Sequence, residues 1–354
     1  MTKKVLIVGG GIVGCMTAMQ MVKRGFHVTI VERHQIASQT SGESSWAGAG
    51  ILFPLLPWMY VDEVNQLAFE GADLYQDICH ELLVETGIDA NLITSGMRIL
   101  LPFDDETASN WCIHHHMPFE IVNTDTSDGT KLNGFLQAHL TPHDGKVLWL
   151  PNVRQVRPPY LMLALRAWLE KNKVILIENT ALKPLQETFA LSAWQTTKGE
   201  NLSADIFIVT SGAWSFELLK DTASQLNIKP MRGQILLYQP AQNLKQIVYK
   251  DGFYMVPRRD GYLLAGSTLE DVGFDASTTE KVRNELQMKA ASIMPSLKNL
   301  PIIKHWSGLR PGTPENLPTI GAHTNIQNLY LITGNFRYGL TMAPCSAKKL
   351  LDLI

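Results

Sequence analysis

Cysteine is scarce: the chain holds four, Cys15, Cys79, Cys112 and Cys345, widely scattered and with no CxxC pair. That excludes a disulfide-framed module and suits a reducing compartment. Neither sign of charge is in excess. Lys and Arg number 31 against 33 Asp and Glu, so the basic footprint of a nucleic-acid binder is missing. No stretch of about 18 uninterrupted apolar residues occurs, and a transmembrane helix is not expected. The apolar opening VLIVGGGIVG is broken by three consecutive glycines. It runs into MVKRGFHVTIVER without a clean small-residue cleavage site, which argues against a signal peptide. The expectation is a soluble, cytoplasmic protein. Internal repeats and low-complexity tracts are also lacking. With 45% hydrophobic and 18% charged residues over 354 positions, the composition is that of an ordinary globular chain of two domains or one large one.

What is present begins with a unit of strand, glycine turn, helix and strand. KVLIV at 4–8 reads as a buried strand, residues 12–24 as a helix stopped by Gly25, and HVTIVE at 27–32 as a second strand. Gly9-x-Gly11-x-x-Gly14 lies between the first strand and the helix. In such a loop the first glycine permits the tight turn, the second lets backbone approach a pyrophosphate, and the third lets helix and strand pack closely. Glu32 ends the second strand, where an acid can accept hydrogen bonds from ribose hydroxyls; this disfavours a 2′-phosphate and so NADP.

Further along, 37–50 reads as a small, polar, glycine-rich loop and 61–87 as a long helix. Short β-like pieces fill 90–150. A proline-led helix is expected at 158–171, and strands at 173–179 and 204–215. Alternating strands over 230–274 suggest an antiparallel sheet; a helix at 279–293, a strand at 329–333 and a last helix at 339–353 follow. Nucleotide-type pieces at both ends and in the middle imply interleaved domains. One spans 1–85, 151–220 and 320–354; the other, for the substrate, spans 86–150 and 221–319. The fold class is α/β (α+β), a Rossmann-like domain interleaved with an antiparallel-sheet domain.

The glycine loop alone leaves NAD and FAD open. Three more segments of small residues speak for FAD: Ser44-Ser45-Trp46-Ala47-Gly48-Ala49-Gly50, Thr210-Ser211-Gly212-Ala213-Trp214, and Gly334-Asn335-Phe336-Arg337-Tyr338-Gly339. Each allows close approach to a flat ring or its phosphates. The positive end of the last helix suits the flavin edge that gains negative charge on reduction, whereas a nicotinamide enzyme needs no cofactor segment at its C-terminus.

With these segments the chain resembles the amine-oxidising flavoproteins that include glycine oxidase, D-amino-acid oxidase and dehydrogenase, and sarcosine oxidase. The carriers are VLIVGGGIVG (5–14), VER (31–33), SSWAGAGIL (44–52), VTSGAWS (209–215), HWSGLRPGTPENLPTIG (305–321) and GNFRYGLTMAPCSA (334–347), and they look closest to glycine oxidase. The resemblance implies that Gly9, Gly11, Gly14, Glu32, Arg33, Ser44, Ser45, Ala47, Gly48, Gly50, Leu182, Ser211, Gly212, Trp214, Gly334, Arg337, Tyr338, Gly339 and Leu340 hold FAD, with the Leu182 backbone at the adenine. It implies a substrate carboxylate clamped by Arg310, assisted by Tyr254, with Arg337 near substrate and flavin. A guanidinium fork matches a carboxylate with two parallel hydrogen bonds.

The implied reaction is hydride transfer from the Cα of glycine, sarcosine or a D-amino acid to flavin N5. The imino acid then hydrolyses to a 2-oxo acid and ammonia, and O2 or a quinone accepts the electrons. In its most specific form such an oxidase feeds thiamine biosynthesis. Members that attach flavin covalently use a cysteine near the arginine segment; Ser307-Gly308-Leu309 stands there, so non-covalent FAD is expected, and Cys345 reads as a small helix residue. The loop from Phe53 to Tyr60 is bulkier than a glycine enzyme calls for and should reshape the pocket. His114-His115-His116 is expected on a strand or loop and not at a metal, since adjacent histidines there point apart. Arg232-Gly233-Gln234 reads as a bend between domains. Two other classes stay open, a flavin-binding protein without chemistry and a domain acting on a modified tRNA nucleoside; the net charge speaks against the latter. The sequence leaves homo-oligomer formation open.

Overall fold

A computed structural model describes residues 2–40, 42–123, 145–223, 225–240 and 244–354. The strand Lys4–Val8 sits inside a six-stranded sheet, parallel to His27–Val31 on one side and Ile206–Val209 on the other. The sheet runs Thr319–Ala322, Leu329–Thr333, Ile206–Val209, Lys4–Val8, His27–Val31, Ile175–Ile177, and its first strand is antiparallel to its neighbour. Alternation along Lys4–Val8 feeds two cores. Val5 and Ile7 pack beneath the helices Ile12–Lys23, Asp62–Thr86, Pro158–Lys171 and Gly339–Leu351, while Leu6 and Val8 pack with Leu182, Trp194, Phe207 and Leu329. A parallel sheet covered on both faces explains why this strand is an unbroken apolar run.

The helix ends follow their local chemistry. Pro158 and Pro159 occupy the first turn of their helix, where a missing N–H costs nothing. Asp62–Thr86 stops at Gly87, whose φ of 74° lets its N–H donate back to the Leu83 carbonyl at 2.8 Å.

The second sheet has eight strands, in the order Lys304–Gly312, Lys229–Tyr238, Leu263–Gly266, Phe253–Pro257, Ile247–Lys250, Met97–Leu100, Lys146–Leu150, Glu120–Asn123. It is antiparallel except where Ile247–Lys250 runs parallel to Met97–Leu100. Arg232-Gly233-Gln234 is not a bend. It lies within the ten-residue strand Lys229–Tyr238, in register with Lys304–Gly312 from Lys229↔Gly312 to Leu237↔Lys304. A strand paired on both sides has no freedom to bend there. The stretch 90–150 also contains an unexpected helix, Asp105–His114, capped by the Asp104 carboxylate accepting from the Thr107 N–H at 3.0 Å; residues 124–144 of the β-like stretch lie outside those described. His114 closes that helix and His115 stacks on Trp111 at 4.2 Å, so the histidines belong to a helix end. Among the described residues no helix is long and apolar enough to cross a membrane.

The segment 42–52 ties the eight-stranded sheet to the short strand Arg154–Gln155, which pairs with Ile93–Thr94. Its Gly42 carbonyl accepts from the Leu309 N–H and its Leu52 N–H donates to the Arg154 carbonyl, both at 2.9 Å. Arg258 fastens the middle: Nη2 donates to the Ala49 carbonyl at 2.7 Å, and Nη1 to the Val156 carbonyl at 3.0 Å and to Gln155 Oε1 at 2.8 Å. Burial, with Arg157 nearby, lowers this guanidinium to about 10, so it stays a cation at neutral pH. Arg258→Met would leave three acceptors without their donor. We expect it to lower stability by roughly 2–4 kcal/mol in urea unfolding of the flavin-loaded protein.

Candidate active site

The glycine turn stands at the C-terminal end of Lys4–Val8. Gly9 has φ of 112°, and a Cβ there would lie 2.8 Å from the Thr210 carbonyl oxygen. The turn delivers the chain into the helix Ile12–Lys23, whose N-cap, Gly11, offers no capping side chain. Ser45 Oγ takes the Ile12 N–H at 2.9 Å. Glu32, directly after the second strand, is buried and accepts from the Gly10 N–H at 2.7 Å and the His34 N–H at 2.9 Å. Two backbone donors thus fix its carboxylate against the loop.

A cavity of about 770 Å3 opens from this loop. Gly9, Gly11, Glu32, Arg33, Ser44, Ser45, Gly48 and Gly50 line it, as do Leu182, Ser211, Gly212, Trp214, Tyr338, Gly339 and Leu340. Arg33 stacks its guanidinium on Trp214, 4.2 Å from the ring centroid. The start of the last helix, Gly339–Leu351, borders the cavity and carries no capping side chain. So two helix N-termini, a loop bare of side chains and a fixed acid share one elongated cavity. These are the features a dinucleotide needs, with anion-favouring amides for the pyrophosphate and a carboxylate for ribose hydroxyls, and the residues fit FAD.

Three residues expected at the cofactor do not line the cavity. Gly14 is a packing position, since a Cβ there would lie 1.9 Å from the Gly9 carbonyl oxygen. Ser44–Ala47 forms a helical turn where a loop was expected. That turns Trp46 inward against Trp306, 6.3 Å between rings, and puts Ala47 against Gly308 with its carbonyl accepting from Trp306 Nε1 at 3.0 Å. Gly334, with φ of 79°, makes a turn whose carbonyl accepts from Thr313 Oγ1 at 2.9 Å.

Arg310, Tyr254 and Arg337 are brought together along the cavity. Arg310 lies on Lys304–Gly312, opposite Met231, and its side chain passes over Gly233, two residues on and therefore on the same face. A Cβ on Gly233 would sit 2.1 Å from Arg310 Nη1. Nη1 donates to the Thr268 carbonyl at 3.1 Å and Nη2 to Ser267 Oγ at 2.8 Å. Among the described residues no carboxylate lies within ion-pairing distance of this guanidinium. Burial pulls it below the usual arginine range, the Tyr254 hydroxyl opposes that shift, and Arg337 adds a second positive charge. Arg337 itself is exposed. Tyr254 is buried on Phe253–Pro257, opposite Gly266.

Phe53 and Leu55 of the bulky loop also line the cavity, and the loop is anchored where the Leu55 N–H donates to the Tyr338 hydroxyl at 3.3 Å and Tyr338 and Tyr60 share a 2.7 Å hydrogen bond. None of the four cysteines lines the cavity. Cys345 is buried, with Sγ donating to Glu70 Oε2 at 3.1 Å. Among the described residues no group of three or more His, Cys, Asp or Glu could hold a metal ion. Sequence reasoning missed Gly233, Ser267, Thr268 and Glu270. The small-residue end of strand Leu263–Gly266 into Ser267-Thr268 repeats the pattern of Ser211-Gly212 and was the available signal.

Comparison with known proteins agrees with this architecture. A family model described as DAO, FAD dependent oxidoreductase, matches residues 4–353. A glycine oxidase from Pseudomonas aeruginosa is 37% identical over the whole of this chain and 95% of its own length. One from Pseudomonas putida is 33% identical over the same shares. The crystal structure of glycine oxidase from Geobacillus kaustophilus superposes with a TM-score of 0.87 at 25% identity, covering 99% of this chain and 95% of that one.

The close approach at Gly233 makes a prediction. Gly233→Ala should keep the FAD absorbance while displacing the Arg310 guanidinium, weakening binding of a small carboxylate by at least about tenfold, the scale of one charge-assisted hydrogen bond. Calorimetric titration of the flavin-loaded protein reads this directly.

Proposed function

The chain belongs to the DAO family of FAD dependent oxidoreductases, and on that premise we propose that it oxidises a small amino acid at its amine-bearing carbon. The observation that carries this reading is the Arg310 guanidinium, turned to the cavity with its two terminal nitrogens on neutral oxygens. FAD, when bound, supplies the two-electron acceptor for a hydride from that carbon. The protein's own part is placement. Arg310 takes the substrate carboxylate through two parallel hydrogen bonds, with the Tyr254 hydroxyl beside it, which fixes the carbon bearing the amine. The paired positive charge of Arg310 and Arg337 favours the carboxylate and disfavours an ammonium, so the amine is bound neutral with its lone pair available. No side-chain base is required. The imino product hydrolyses to a 2-oxo acid and ammonia, or methylamine where the substrate is sarcosine, and O2 or a quinone takes the electrons.

Phe53 and Leu55 give the cavity an apolar wall that glycine would leave uncovered, which favours a methyl-bearing substrate such as sarcosine or D-alanine. The absence of cysteine from the cavity lining supports FAD held without a covalent bond.

Anaerobic mixing of the holoprotein with glycine, sarcosine, D-alanine and D-proline tests the reading. Bleaching of the flavin band near about 450 nm is expected with the methyl-bearing substrates, and admitting air then separates oxidase from dehydrogenase. No bleaching by any of them, while dithionite still reduces the flavin, contradicts amino-acid oxidation. For the reactive substrate, Arg310→Met should lower kcat/KM about 10²–10³-fold at unchanged flavin content, with Arg310→Lys between it and the parent.

A further inference from the structure

Phe274 is an aromatic ring held in the open by a braced segment. It is 38% exposed and lies between strand Leu263–Gly266 of the eight-stranded sheet and helix Glu280–Ile293. The segment is pinned on both sides of it. Before Phe274, the Glu270 and Arg232 backbones exchange hydrogen bonds of 2.9 Å, and Arg232 Nη2 donates to Glu270 Oε2 at 2.8 Å. After it, Arg232 Nη1 donates to Asp275 Oδ2 at 2.7 Å, Ser307 Oγ donates to the Ala276 carbonyl, and the Thr279 N–H donates to Gln234 Oε1 at 3.1 Å. From this support the Phe274 ring stacks on Trp214, with 5.6 Å between centroids and the planes 29° apart.

Trp214 belongs to the other sheet. It closes the turn Gly212–Trp214 that follows strand Ile206–Val209, and the Ser211 hydroxyl at the head of that turn donates to the Val8 carbonyl at 3.0 Å. The Trp214 ring also carries the Arg33 guanidinium, 4.2 Å from its centroid. Arg33 directly follows Glu32 in the chain. Trp214 and Arg33 line the cavity with Glu32 and the glycine loop; Phe274 does not. Its place is behind Trp214, where it supports the wall of the cavity without forming part of it. An indole attracts a guanidinium to its face and an offset ring alike, so one side chain can serve both contacts. We propose that Phe274 is a positioning residue for the cofactor: it holds Trp214, and through Trp214 the Arg33 cation, at the nucleotide end of the cavity and so slows the release of FAD. A fixed support makes the contact effective, because little further ordering is needed when FAD binds. The inference rests on FAD as the cofactor and is independent of the role given to Arg310.

The test is the exchange of bound FAD for excess isotopically labelled FAD in the holoprotein. Gel filtration at timed intervals reads the dissociation rate without any turnover. Phe274→Ala should speed exchange by about fivefold, the scale of one aromatic pair, and a change under about twofold overturns the proposal. Phe274→Trp keeps a stacking ring and should stay within about twofold of the parent. A double-mutant cycle then separates the proposed role from a general loosening of the fold. Trp214→Leu should itself speed exchange, and adding Phe274→Ala to it should change the rate by less than about twofold, because Phe274 acts through the Trp214 ring. Effects that multiply in the double variant contradict this and overturn the proposal. Should Phe274→Ala not be recovered folded, Phe274→Leu serves, since it keeps apolar bulk and lacks the ring. Exchange about threefold faster or more, with the effect lost on the Trp214→Leu background, supports the proposal; exchange at the parent rate overturns it.

Discussion

A half-buried guanidinium lining the cavity and bonded to the Ser267 hydroxyl and the Thr268 carbonyl, with no carboxylate among the described residues to pair with, sits in an unusual state. Desolvating such a charge costs on the order of several kcal/mol, and neutral acceptors offset only part of that. The surrounding structure is arranged to keep it so. Nine register pairs between Lys229–Tyr238 and Lys304–Gly312 place Arg310 over a residue without a side chain. The neighbouring strand Leu263–Gly266 ends so that Ser267 and Thr268 turn toward it. The affinity that no internal carboxylate satisfies is what an incoming one would meet.

The cofactor end works by the same logic with amides in place of a guanidinium. Gly9 and Gly11 strip side chains from the loop, Glu32 is fixed by two backbone N–H groups, and two helix N-termini border the cavity. The segment 42–52 joins the ends, because its Gly42 carbonyl accepts from Leu309 in the eight-stranded sheet, its Ser45 Oγ takes the Ile12 N–H at the glycine loop, and its Leu52 N–H reaches Arg154 in the short strand Arg154–Gln155, with Arg258 bracing its centre. The distance between the nucleotide loop and Arg310 is thus set by short, buried connections and not by a free linker.

The parts legible in the sequence are those whose cause is local. The run KVLIV, the glycine turn and Glu32 fall within one strand-helix-strand unit, and each residue's task follows from its neighbours in the chain. The prolines at 158–159 and Gly87 mark helix ends for equally local reasons. Arg310 and Tyr254 stood out through the segments that carry them. What surrounds them did not, because cross-strand register is non-local: nothing near Gly233 in the chain says that Arg310, 77 positions away, will need its space. For the same reason Arg232-Gly233-Gln234 looked like a bend. The turn Ser44–Ala47 was hidden by its composition, small and polar residues that read as loop until Trp46 is packed on Trp306. The helix Asp105–His114 did carry a signal, Asp104 ahead of Asp105 and Glu106, which the expectation of strands obscured.

The most direct measurement is a crystal structure of the FAD-loaded protein with glycolate bound. The account predicts both carboxylate oxygens on the Arg310 guanidinium, with the Tyr254 hydroxyl beside them. A carboxylate seated elsewhere in the cavity, away from Arg310, would contradict it.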